Sequence, residues 1–80
     1  MNFQRAMMKK LAADALERVG PNHCETQVVG SIYVSSFNRA AYNVTADGVE
    51  YGPFDYADAL LAIVQLIETR LRQEQQAVQP

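Results

Sequence analysis

Tyr42-Asn43-Val44-Thr45-Ala46-Asp47-Gly48-Val49-Glu50-Tyr51-Gly52-Pro53-Phe54-Asp55 is the stretch on which the fold turns. Asp47-Gly48 supplies the positive φ angles of a two-residue type I′ hairpin, so strands are predicted over 40–46 and 49–52. The turn sets Ala46 opposite Val49 and Val44 opposite Tyr51. One sheet face is then apolar (Tyr42, Val44, Val49, Tyr51) and the other polar (Asn43, Thr45, Glu50). Downstream, Gly52-Pro53-Phe54-Asp55 marks the passage from strand to helix. Asp55 suits the N-cap and Asp58 the N3 position of a variant capping box, and both acids complement the positive end of the helix dipole.

Upstream, Val28, Gly30, Ile32 and Val34 alternate with Val29, Ser31, Tyr33 and Ser35, which predicts one strand over 26–35. Placing Val28, Ile32 and Val34 on the apolar face requires an odd loop. A three-residue loop Phe37-Asn38-Arg39 would pair Val34 with Tyr42 and Ile32 with Val44, with Asn38 or its neighbour left-handed. The first helix is predicted over 3–19. Phe3, Met7, Met8, Leu11, Ala12, Ala15, Leu16 and Val19 follow its three-and-four spacing, Asn2 suits the N-cap, and Gly20-Pro21 stops it. The last helix is predicted over 55–72, on a stripe of Leu60, Ile63, Val64, Ile67 and Leu71 widened by Ala59, Ala62 and Leu66. Glu68 and Arg72 are spaced for an i,i+4 pair, and a frayed Gln-rich tail covers 73–80. The expected fold is α+β, in the order α-β-β-β-α, with both helices on one face of a three-stranded antiparallel sheet. The other face would carry Val29, Ser31, Tyr33, Ser35, Ala41, Asn43, Thr45 and Glu50.

Eighty residues make one domain, and an apolar share of 49% separates it from disordered chains. Cys24 is the only cysteine, which excludes a disulfide framework. Arg5, Lys9, Lys10, Asp14, Glu17 and Arg18 break up residues 1–19, so these do not read as a signal peptide. The longest apolar run, Ala57 to Ile67, is short for a membrane span. A cytoplasmic location is expected. The net charge of −2 divides into +2 over residues 1–20 and −4 over 21–80. That balance argues against binding driven by phosphate contacts.

His23-Cys24 is the one place where two chemically capable side chains meet. A nucleophilic pair needs an orienting third group and a metal site needs further ligands, and neither is in view, so the thiol reads as a packed core edge. Asp55 and Asp58 read as capping residues. No catalytic residue, metal site, cofactor or small-molecule substrate is expected. Arg5, Lys9 and Lys10 share a helix face that, with Arg18, could meet nucleic acid, but a solvated polar face explains them more simply. The acids Asp47, Glu50, Asp55 and Asp58 stand among Tyr51, Phe54 and Tyr56, which suits recognition of an Arg- or Lys-rich protein surface. Tyr33 and Asn43 on the sheet give a second patch. Leu61, with Leu66, exceeds what covering the sheet requires and could serve a homodimer.

The order α-β-β-β-α resembles double-stranded-RNA-binding domains and the HicA-type toxin fold. That likeness implies RNA binding, or RNA cleavage by a strand histidine. Here, however, the last helix starts Asp55-Tyr56-Ala57-Asp58 where RNA-binding members are basic, and His23 precedes the first strand. Residues 46–55 are similar to hairpin-to-helix passages in small acidic proteins of phages and mobile elements, the anti-CRISPR inhibitors among them. That resemblance implies a stoichiometric inhibitor blocking a host protein, often at a nucleic-acid-binding surface. The expected function is therefore a non-enzymatic protein-binding module using Asp47, Glu50, Asp55, Tyr56, Asp58, Tyr33 and Asn43. The alternatives are a nucleic-acid-binding module using Arg5, Lys9, Lys10 and Arg18, and a homodimeric structural protein.

Overall fold

Gly30 has φ +56°, and there the chain reverses where one continuous strand is expected. The computed structural model describes residues 2–19, 25–38 and 41–78, with side chains for 4–19, 25–36 and 41–73. Its elements are α1 (Asn2–Arg18), β1 (Glu25–Val29), β2 (Ile32–Asn38), β3 (Ala41–Ala46), β4 (Val49–Phe54) and α2 (Tyr56–Val78). The strands form one antiparallel sheet in the order β1-β2-β3-β4. The fold is α+β, with four strands instead of three.

The extra strand comes from Gly30-Ser31. Val29 pairs with Ile32 across these two residues. Positive φ at the first of the two alone is the pattern of a type II′ hairpin turn, which favours Gly there. A bulge between Gln27 and Val29 shifts the register, so that Val28 stays buried with Ile32 and Val34.

The β2–β3 pairing differs from expectation in position and agrees in parity. Val34 pairs with Val44, Ile32 with Ala46 and Ser36 with Tyr42. The hairpin thus reaches two residues further than predicted, and a bulge between Ser36 and Asn38 brings Asn38 opposite Ala41. Asn38 itself lies in β2. The β3–β4 register is as the Asp47-Gly48 turn dictates: Ala46 with Val49, Thr45 with Glu50, Val44 with Tyr51. Asp47 at φ +53° and Gly48 at φ +82° supply its two positive φ angles. Beyond Tyr51 an extra residue on β4 bulges at Gly52-Pro53, a cis peptide bond, before Phe54 pairs with Tyr42.

One core gathers Met8, Ala12, Ala15, Leu16 and Val19 from the α1 segment, Ala59, Ile63, Val64 and Ile67 from α2, and Val28, Ile32, Val34, Tyr42, Val44 and Ala46 from the sheet. Ser36 is the buried polar side chain on that face, and its Oγ donates to the carbonyl of Ala41 at 3.3 Å. Val49 and Tyr51, expected in the core, are 52% and 41% exposed. They stand on the edge strand β4, which α2 only partly covers. α2 also runs past the expected end at Arg72 to Val78, because Gln and Glu are good helix formers and nothing in Gln73–Gln76 breaks the helix. Asn2 begins α1, and its side chain lies outside the described residues, as do Gly20-Pro21, His23-Cys24 and Arg39. No helix among the described residues is long and apolar enough to cross a membrane.

Candidate functional site

A groove of about 410 Å³ opens between α2 and β4. Its walls are Tyr51 and Phe54 from β4, and Asp58, Leu61, Ala62, Gln65, Leu66 and Thr69 from α2. A second hollow of about 180 Å³ shares Tyr51, Leu66 and Thr69 and continues to Asp47, Val49, Arg70 and Gln73. Asp58 and Arg70 mark the two ends, about 18 Å apart at 1.5 Å per helical residue. The depression exists because two requirements conflict. Ala59, Ile63, Val64 and Ile67 are drawn into the core, which seats α2 over β3. The inner face of β4 beyond it is left half-covered.

Asp55 starts α2 as its N-cap: its Oδ1 accepts from the Asp58 backbone N–H at 2.8 Å. Tyr56, exposed in the first turn, meets the ring of Tyr42 edge-to-face, with centroids 6.1 Å apart and an angle of 78°. At the far end Arg70 donates to the Asp47 carboxylate and the Ser31 hydroxyl, and Ser31 Oγ donates to Asp47 Oδ1 at 2.6 Å. The Ser31 hydroxyl and the Arg70 guanidinium together hold the Asp47 carboxyl below the usual carboxylate range. Both hairpin turns are thus tied to the last helix at one end of the sheet.

The structure regroups the residues singled out in the sequence. Asp58, Leu61, Leu66 and Tyr51 meet in the groove, with Asp47 at its end. Glu50 does not join them. It projects to the uncovered sheet face, in a cross-strand row with Thr45, Tyr33 and Gln27; Asn43 and Ser35 share the next row with Glu25. None of the four strands carries a Lys or Arg, so the strand residues of this face offer no cation to a phosphate. The basic residues of α1 are dispersed as well. Arg5 and Lys10 lie about 140° apart around the helix at 3.6 residues per turn, which corrects the single basic face expected. Arg5 pairs with Glu68 of α2, Lys10 with Asp14 at 3.5 Å, and Arg18 donates to the carbonyl of Gln27 at 2.9 Å. Glu68 therefore meets Arg5 across the helices, in place of the Arg72 expected.

The groove is the feature sequence reasoning missed, and Tyr51 and Val49 were the signal: two apolar residues on an edge strand, beside an apolar helical position, Leu61, that the core stripe did not need. Among the described residues no three His, Cys, Asp or Glu side chains converge to hold a metal ion. Comparison of the chain with protein-family models, curated proteins and solved structures finds no match.

Proposed function

We propose that the protein is a non-enzymatic binding module that occupies the surface of another protein through the α2–β4 groove, as a stoichiometric inhibitor or accessory protein of the phage or mobile-element type. The observation that carries this reading is the groove itself: Tyr51 and Leu61, both exposed, form an apolar strip with the partly buried Leu66 at its floor. A few well-packed, desolvated anchors, Tyr prominent among them, supply most of the free energy of protein recognition. Asp58 lines the strip and Asp47 stands at its far end, with Glu50 on the opposite face of the same edge strand, so the partner it fits presents a basic surface, of the kind that otherwise meets nucleic acid.

The test is affinity capture from a host lysate with the wild-type chain and with the Leu61→Arg and Asp58→Lys variants, bound protein and nucleic acid being identified separately. One stoichiometric protein partner, lost from both variants, is the expected result. Equal recovery of that partner by both variants would refute the groove. Nucleic acid that leaves with salt would move the function to the basic residues of α1.

A further inference from the structure

Resting on the groove as the contact surface, we infer that its occupant is an extended basic segment of the partner, which adds to the sheet as a fifth strand beside β4. The sheet order makes β4 an edge. Its two-residue turn makes Ala46 and Val49 a hydrogen-bonded pair, so Thr45 and Glu50 form the following non-hydrogen-bonded pair. The backbone N–H and C=O of Glu50 therefore point away from β3, toward open space, as a template for another strand. Pro53 has no N–H and closes the usable edge on the far side of the bulge. What remains matches the groove: its roughly 18 Å accommodates about five residues at 3.3 Å each.

Side-chain alternation defines the chemistry of the guest. The residue opposite Glu50 shares its face of the sheet, where the Glu50 carboxylate stands, so a Lys or Arg fits there. The residues on either side of it face the other way, into the apolar strip of Val49, Tyr51, Leu61 and Leu66. The recognised pattern is thus apolar–basic–apolar at period two, with a further cation favoured toward Asp58. A second copy of this chain is a poorer guest. Two β4 strands paired antiparallel about Glu50 would set Glu50 against its own copy, and like charges directly opposite are destabilising. A partner helix would leave the Glu50 backbone groups unused.

Selection of a random peptide display library against the full-length protein tests this. Recovered peptides should alternate apolar and basic residues. Their binding should weaken about tenfold or more with Leu61→Arg and with Glu50→Pro. The Pro removes the outward N–H, which β3 does not use. Bound peptide should also slow amide exchange at Glu50 in the wild-type chain, a readout independent of how Glu50→Pro folds. Peptides of helical spacing that leave Glu50 exchange unchanged yet are lost with Leu61→Arg would overturn strand addition and keep the groove. Peptides indifferent to Leu61→Arg, or no enrichment at all, would overturn both.

Discussion

Arg70, near the outer end of the groove on α2, bonds to Asp47 in the β3–β4 turn, and Ser31 of the β1–β2 turn bonds to the same carboxylate. The contact joins residues 23 positions apart, fixing both hairpin tips to a helix that sequence patterns locate only by its stripe. Because hydrogen bonding holds the folded Asp47 carboxyl below its usual range, its contribution to stability is complete above about pH 3.9, the unfolded value, and is lost as pH falls through the lower folded value. Asn also tolerates the left-handed conformation at this position, so Asp47→Asn removes the charge while keeping the turn. The urea midpoint of the wild type should exceed that of Asp47→Asn at neutral pH, and the gap should close in acid below about pH 3.9. A gap that stays constant through the acid range would show that Asp47 acts through turn geometry alone.

Gly52 provides a second test. A Cβ there would stand 2.7 Å from Asn43 Oδ1 and 3.0 Å from the carbonyl oxygen of Tyr42, at φ +124°. Gly48, at φ +82°, has open space around it. Gly48→Ala should therefore cost only backbone strain, about 1 kcal/mol, whereas Gly52→Ala adds the clash and should reach about 2–3 kcal/mol. Adding Asn43→Ala should recover part of that loss, because the Tyr42 carbonyl and the φ remain. Denaturant titration of the four proteins decides it, and equal losses at the two glycines would refute the close approach.

These two sites also divide what was legible from what was not. The Asp47-Gly48 turn, its register and the Asp55 cap were readable because each depends on a few neighbouring residues. Gly30-Ser31 is an equally local turn, yet it was hidden. The bulge at Val28 shifts the parity of β1 by one, so inward-facing residues on both sides of the turn carry even numbers: Thr26, Val28, then Ile32 and Val34. One uninterrupted strand gives the same pattern. The odd loop between β2 and β3 was foreseen in parity and misplaced by two residues, since alternation fixes which face a residue takes and leaves its partner open. Of the groove, the sequence offered Leu61 and Leu66 as surplus and put Tyr51 in the core. How far a helix reaches across a sheet depends on packing between distant residues, and no local pattern encodes it.

Neighbouring positions of α2 should therefore respond in opposite ways. Ile63 is fully buried and Leu61 is 49% exposed. Truncation of Ile63 to Ala should cost about 2–5 kcal/mol through the lost burial and the cavity left behind. Leu61→Ala should stay within about 0.5 kcal/mol of wild type. A large loss at Leu61 in a dilute sample would mean that its side chain is covered in solution, by a second copy of the chain. Sedimentation across a concentration series would then reveal the dimer.

The two helices meet at Arg5 and Glu68. Arg5 remains 46% exposed and Glu68 25%, so solvent screens the pair and its value is that of a surface ion pair. A double-mutant cycle with Arg5→Ala and Glu68→Ala should give a coupling of about 0.2–1 kcal/mol, shrinking when salt is raised to 1 M, where the screening length falls to about 3 Å. The same pairing bears on the nucleic-acid reading. An Arg5 committed to Glu68 is partly neutralised, and Arg18 is bound to β1, so that, among the described residues, Lys9 is the α1 base left without an internal contact of this kind to support phosphate binding. Titration with single- and double-stranded RNA at low salt should accordingly show no saturable affinity, and Glu68→Ala, which releases Arg5, should be the variant in which any weak affinity first appears. Tight, salt-sensitive binding by the wild-type chain would show that the helix charges outweigh the acidic remainder.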